Sequence, residues 1–259
     1  MIPLLGWASD GRPDPGEDGS VRVEPGVEIV PANHLKFYLH FPEPMERGVV
    51  FRHLRLVEID GDGKVVAEVP EPFREVELWD ETFQRMTLWF HPGRQKPGVN
   101  LNVDIGPILE EGNRYRLEVS PDWKTESGAE LKGELAHAFA AGPYDEVQPD
   151  PSRWKIEGAK STGVTVVPDG PLDPESVKKR VRIVGPGGRN LEYTTDFSGK
   201  RIRMTGSALT PGRYRLVVDP RLEDLAGNSI ARPFNLDLEA DRDFEERTEP
   251  IEIPFEIPE

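Results

Sequence analysis

Apolar residues fall on alternate positions in a series of short segments: His34 to Phe41, Phe51 to Ile59, Arg85 to Phe90, Tyr115 to Val119, Val164 to Val167, Val181 to Val184, Lys200 to Met204 and Tyr214 to Val218. A period of two sends successive side chains to opposite faces, so each segment predicts a short strand with one buried face. Gly, Pro, Asn and Asp separate the segments, and these residues accept turn geometry. Asp60-Gly61-Asp62-Gly63 and Gly185-Pro186-Gly187-Gly188 stand where hairpins should reverse. No stretch carries a convincing amphipathic-helix period. The pattern predicts an all-β chain whose core includes Phe37, Leu39, Leu54, Leu56, Leu88, Phe90, Tyr115, Leu117 and Val119, then Val181, Ile183, Ile202, Met204, Tyr214, Leu216 and Val218.

The pattern also repeats. Tyr115-Arg116-Leu117-Glu118-Val119-Ser120-Pro121 matches Tyr214-Arg215-Leu216-Val217-Val218-Asp219-Pro220 at an offset of 99. Gly128 and Gly227 follow at equal spacing, then the aliphatic Leu131 and Ile230. Upstream, Pro44-Met45-Glu46 matches Pro171-Leu172-Asp173, and Leu54-Arg55-Leu56-Val57 matches Val181-Arg182-Ile183-Val184, both at an offset of 127. The order is conserved between the halves, which marks an internal duplication. Residues 1–20 form an N-terminal extension, 21–142 a first domain, 143–151 a Pro-stiffened linker, 152–239 a second domain and 240–259 an extended acidic tail. About seven strand signals per copy suit an antiparallel sandwich.

Phe41-Pro42-Glu43-Pro44-Met45, a strand, a hairpin, Gly-x-x-Tyr-x-Leu-x-Val and the loop Asp224-Leu225-Ala226-Gly227-Asn228 together resemble the bacterial Ig-like domain of surface-layer and cell-envelope proteins. The resemblance implies two tandem Ig-like β-sandwiches, the first with an inserted hairpin and loop, and a periplasmic or cell-surface location. It says little about activity, because function lives in sites grafted onto such folds. Met1 to Trp7 lacks the basic start and long apolar run of a leader, so the residues themselves do not show export.

The change of offset from 127 to 99 leaves the first copy with 28 residues that the second lacks. They fall in two pieces, one containing Pro70 to Phe83 and one following Phe90. The second piece combines His91, Arg94, Lys96, Asn100, Asn102 and Asp104 with the nearby indoles of Trp79 and Trp89, the equipment of a small polar binding site for a protein or glycan partner. Arg94 and Lys96 suit a carboxylate or phosphate. The competing reading is a loop that packs along the sandwich edge, with Arg94 paired locally and His91 capping a turn.

Asp219, Glu223, Asp224 and Asn228 make an oxygen-rich loop that is a weak calcium candidate. The parallel loop of the first copy keeps the spacing without the carboxylates, so the spacing serves the fold first. His34 and His40 share a face if both lie on one strand, but no metal motif completes them. In the tail, Ile251, Ile253, Phe255 and Ile257 alternate with Glu and Pro. Such a strand either folds back on its own domain or docks on a partner by strand addition.

Composition removes further classes. The 259 residues carry 32 Lys and Arg against 47 Asp and Glu, a net charge of −15, which disfavours nucleic acid and anionic lipid. Hydrophobic residues make up 36% and no window is apolar enough for membrane insertion. Without cysteine there is no disulfide and no thiolate nucleophile. No Ser elbow, carboxylate-pair motif or Gly-rich phosphate loop is present, and no cofactor is implied. The leading expectation is a non-enzymatic envelope module that binds a protein or glycan or acts as a spacer. The alternatives are an accessory subunit docking through its tail and, last, a hydrolase with its site at the domain junction. Oligomeric state is left open.

Overall fold

The computed structural model describes residues 20–95, 100–133, 135–206, 209–236 and 244–258. In chain order its first half contains β1 (Arg22–Glu24), β2 (Ile29–Pro31), β3 (Lys36–His40), β4 (Leu54–Ile59), β5 (Val65–Glu68), β6 (Leu78–Trp79), β7 (Arg85–Trp89), α1 (Pro92–Gln95), α2 (Asn100–Ile105), β8 (Arg114–Val119) and β9 (Ala136–Gly142). The second half contains β10 (Lys155–Lys160), β11 (Gly163–Val167), α3 (Pro174–Arg180), β12 (Val181–Val184), β13 (Tyr193–Ser198), β14 (Arg201–Gly206), β15 (Gly212–Val218) and β16 (Ile251–Ile257).

The strands form four sheets, ordered β1-β3-β7-β6, β2-β9-β8-β4-β5, β10-β11-β14-β13 and β12-β15-β16. Pairing is antiparallel except between β2 and β9. Each pair of sheets closes over one apolar cluster. Phe37, Leu39, Met86 and Leu88 from one sheet meet Leu54, Leu56, Tyr115, Leu117 and Phe139 from the other. Val164, Val166, Ile202 and Met204 likewise meet Val181, Ile183, Tyr214, Leu216 and Ile257. The architecture is two tandem Ig-like β-sandwiches. Every core residue read from the alternation is buried, because the period of two already names the inward face.

The duplication extends to hydrogen bonds. Met45 bridges Thr125 in the first sandwich and Leu172 bridges Asp224 in the second. Thr125 Oγ1 accepts from Ala129 N, and Asp224 Oδ1 accepts from Asn228 N, at matching places in the two loops. Gly128 and Gly227 both sit at positive φ, 86° and 83°, where a side chain would be strained. Tyr115 and Tyr214 each anchor the core with a bonded hydroxyl, the first accepting from Glu110 N and the second donating to Thr210 O.

Two expectations need correction. A helix was not expected, yet α3 follows Leu172. Asp173 caps it through Ser176 N, Pro174 opens it, and Lys178, Lys179 and Arg180 close it. At seven residues it is too short for a 3.6-residue period to be visible. The second concerns the domain boundary: the tail folds back on its own domain, the first of its two expected courses, and as the last strand it belongs to the second sandwich rather than lying beyond it. β16 pairs with β15 over seven residues, from Gly212 opposite Ile257 to Val218 opposite Ile251. It occupies the place that β9 takes beside β8, where Tyr115 faces Phe139 as Tyr214 faces Phe255. Both aromatic pairs stack, at 5.9 and 5.5 Å between centroids. The apolar face of Ile251, Ile253, Phe255 and Ile257 is thus spent on the chain's own core, with Arg215 pairing to Glu252 at 2.8 Å.

Ile257 is 3% exposed, so Ile257→Ala should cost about 2–3 kcal/mol through lost burial and the cavity left behind. Urea unfolding would register this, and an unchanged midpoint would mean that β16 is peripheral to the core.

Candidate functional site at the seam between the sandwiches

The alternation that buries Phe37 and Leu39 sends Lys36, Tyr38 and His40 to the opposite face of β3. Such polar side chains ordinarily face water. Here Tyr38 is only 4% exposed, because α3 and the loop after β15 cover that face. The register brings Trp89 opposite Lys36, Thr87 opposite Tyr38 and Arg85 opposite His40, so β3 and β7 present one polar surface to the second sandwich.

Two ion-pair groups fill the contact. In the first, the Tyr38 hydroxyl donates to Asp173 at 2.9 Å, and Lys36 Nζ lies 2.9 Å from Glu223 and 3.6 Å from Asp173. Burial alone would lower the Lys36 pKa, but Asp173 and Glu223 hold it above the usual lysine value. In the second, Glu24 Oε2 meets His40 Nε2 and Lys178 Nζ, both at 3.1 Å, while Lys178 also reaches Glu175 at 2.8 Å and Arg85 contacts Glu175. Burial would raise the Glu24 carboxyl, yet the His40 hydrogen bond and the charges of Lys178 and Arg22 bring it down to about 2. Burial also lowers His40, and the geometry assigns its Nε2 proton to the bond with Glu24.

The loop after β15 completes the seam. Leu225 is 3% exposed and joins the core of the first sandwich, and its carbonyl accepts from Leu35 N. The linker is stitched from both sides. Asn33 exchanges two bonds with Asp145, and Asn228 Nδ2 donates to the same Asp145 carbonyl. Tyr144 donates to Gln95 O and accepts from Asn235.

Glu24, His40 and Glu175 place potential ligand atoms within 4.8 Å of one another, the one such trio among the described residues. Arg22, Arg85 and Lys178 already balance its two carboxylates, so a divalent ion would have to displace cations rather than relieve repulsion. Beside it lies a shallow open depression of about 330 Å³, lined by His40, Phe41, Asp80, Thr82, Gln84 and Arg85.

The described residues among those proposed from sequence do not gather into a site. Trp79 faces Met86 and packs on the core, whereas Trp89 lies on the seam face with Lys36 5.8 Å from its ring. The two indoles are therefore on opposite faces of one sheet. Arg94 is 1% exposed, and its guanidinium donates to the carbonyls of Pro70, Glu71, Gly106 and Pro107. Those bonds take four of its five N–H donors, and burial keeps the group from an anion in solvent. His91 Nδ1 accepts from Gly93 N, and Asn102 donates to Arg94 O. Asp104 is exposed. Lys96 and the side chain of Asn100 lie outside the described residues. The described part of the insertion is a strut closed by a buried arginine.

The calcium candidate disperses too. Asp219 is held by Arg221 and Arg180, which bring its pKa down to about 2. Glu223 belongs to Lys36, while Asp224 accepts from Ala226 N, Asn228 N and Asn228 Nδ2 as Thr125 does more simply in the first copy. His34 does not join His40. It precedes β3 and is enclosed by Phe37 and Phe90, where burial pushes its pKa down to about 3.

The seam residues missed from sequence are Glu24, Lys36, Tyr38, Arg85, Glu175 and Lys178. A signal existed in the cap-and-charge pattern Asp173-Pro174-Glu175 followed by Lys178-Lys179-Arg180.

No family model matches the chain, and no curated protein matches it. Among solved structures it is similar to native alpha-2-macroglobulin from Escherichia coli, in a fragment spanning domains MG0-NIE-MG1, at 11% identity and a TM-score of 0.28. The match covers 77% of this chain and 66% of that one, which is less than two thirds of its length. So loose a superposition transfers no property, and the fold rests on the strand pairings above.

Two measurements test this account. Arg94→Ala should cost about 3 kcal/mol, because four backbone carbonyls lose a buried charged donor and its packing. A loss below about 1 kcal/mol in urea unfolding would show the guanidinium to be dispensable. Stability against pH should carry two opposed slopes. Glu24, lowered from 4.5 to about 2, stabilises the fold above pH 4.5, and that stability is lost as pH falls toward 2. Asp224 is raised by burial from 3.8 to about 7, so its charge opposes folding as pH rises through that window. Asp224→Asn should flatten the decline between pH 5 and 7, and an unaltered slope would remove Asp224 as its source.

Proposed function

We propose that this chain is a non-enzymatic, envelope-type module that works as a spacer, holding two Ig-like sandwiches in one fixed relation. The observation that carries the reading is the seam: paired charges, an inserted leucine and a linker bonded on both sides. A joint meant to flex would not bury Tyr38 and Asp173 against each other, since each opening would expose charges from their partners. The envelope location rests on the Ig-like resemblance. No helix among the described residues is long and apolar enough to cross a membrane.

The other readings have less support. Ligand binding by the insertion needed Arg94 and a joint Trp79–Trp89 surface, and Arg94 is consumed internally while the indoles are separated. Docking through the tail needed a free β16. A hydrolase at the junction needed carboxylates facing a cleft, whereas Glu24, Asp173, Glu175 and Asp224 each bond to partners inside the seam.

The absence of cysteine permits a direct test. Spin labels at Asp122→Cys and Arg203→Cys, exposed positions on the two sandwiches, should give one narrow distance distribution. Adding Lys36→Met and Tyr38→Phe should broaden it. A broad distribution with the seam intact would overturn the spacer reading.

A further inference from the structure

β16 closes the second sandwich less firmly than β9 closes the first. β9 lies between β8 and β2 and continues into the linker, with Phe139 and Ala141 at 2% and 4% exposure. β16 pairs with β15 alone at the edge of its sheet, and Ile251, Ile253 and Phe255 are only half-buried. Pro254 stands in mid-strand without an N–H to donate, which suits an edge strand. No hairpin ties β16 to its neighbour. After β15 the chain is bonded to the linker as far along as Asn235, on Tyr144, and fifteen residues then lead to Ile251. Those fifteen carry seven carboxylates against two arginines, and Phe244 to Pro250 are all exposed. A chain of that length spans up to about 50 Å when extended. Strands held by one ladder at a chain terminus belong to the part of a fold that opens first.

We propose that β16 exchanges between copies of this chain, so that β16 of each copy pairs with β15 of the other in a reciprocal dimer. Complementarity fixes the occupant. A strand for this place needs apolar residues where Ile251, Ile253 and Phe255 face Val218, Leu216 and Tyr214, a further one where Ile257 enters the core, and carboxylates where Glu252 and Glu256 reach Arg215 and Arg213. The β16 of a second copy supplies all of these, so each contact of the closed chain recurs between copies and no new surface is required. The exchange is isologous and ends at two copies. Monomer and dimer then differ chiefly in the tether. A strand on its own chain acts at an effective concentration of about a millimolar, so the dimer forms when the protein refolds at a comparable concentration. Glu223 and Leu225 precede the connection and stay docked on the first sandwich, so the exchange is independent of the spacer reading.

Single cysteines report the exchange, because the chain has none of its own. Arg213 and Glu256 stand directly opposite each other and both are exposed. Cα atoms across an antiparallel pair are about 4.5–5.5 Å apart, within the reach of a disulfide. Chains carrying Arg213→Cys alone and Glu256→Cys alone, unfolded together in urea and refolded at about 1 mM, bring the two thiols together only across copies. On oxidation they should give the mixed disulfide at least about tenfold faster than Arg213→Cys refolded with Val103→Cys, an exposed position on α2 at 69%. Placing Arg213→Cys and Glu256→Cys in one chain, and oxidising it when dilute, locks β16 to its own β15. Taken through the same refolding, the locked chain should remain monomeric in sedimentation equilibrium, whereas the unaltered chain should contain a dimer. Equal rates for the two mixtures, or an unaltered chain that is wholly monomeric after refolding at about 1 mM, would overturn the exchange. A locked chain that dimerises as the unaltered one does would overturn it as well, since the contact would then lie elsewhere.

Discussion

The burial of the outward face of β3 is the constraint on which the rest of the molecule depends. Lys36, Tyr38 and His40 must stand on that face because Phe37 and Leu39 occupy the other. Once a second sandwich covers them, each desolvated polar group needs a partner: His40 finds Glu24 on the neighbouring β1, and the other partners come from the covering side. Asp173 and Glu223 pair with Tyr38 and Lys36, while Glu175 and Lys178 pair with Arg85 and Glu24 beside them. An apolar contact would have tolerated sliding, whereas a hydroxyl shared with a carboxylate and a lysine between carboxylates fix distance and direction. Net stabilisation from such pairs is modest, since desolvation offsets much of the Coulomb gain. Their contribution is a defined orientation.

The duplication shows how one scaffold came to carry both halves of this contact. The loop at Thr125 and the loop at Asp224 close by the same hydrogen bond, yet only the second reaches the neighbouring sandwich. In the first copy the extra residues built the Arg94 strut instead. Divergence after duplication therefore went into docking in one copy and into bracing in the other, with the stacked Tyr–Phe pair of neighbouring strands left alone.

Much of the fold was legible because a period of two reports which face is covered. Phe37, Leu88, Ile202 and Leu216 could be placed inside without any structure. The tail was legible as a strand, since Ile251, Ile253, Phe255 and Ile257 alternate, but its choice of partner depended on where β15 lay. The seam was not legible. Lys36, Tyr38 and His40 read as a solvated face, and nothing local to β3 reveals that α3 lies over it. The insertion misled for a related reason. A polar loop suggests available groups, and only tertiary closure shows that Arg94 spends its donors on backbone carbonyls.

The connection from β15 to β16 has a kinetic meaning. Roughly thirty residues separate strands that lie side by side, and closing a loop of that length has an entropic cost before any pairing offsets it. This connection carries Glu223 and Leu225, which are anchored on the first sandwich. Once those anchors are set, the remaining loop is shorter and β16 is held near its site. Docking of the sandwiches and completion of the second core thus lower each other's barrier, so the chain is built to fold as one cooperative unit with the first sandwich as template.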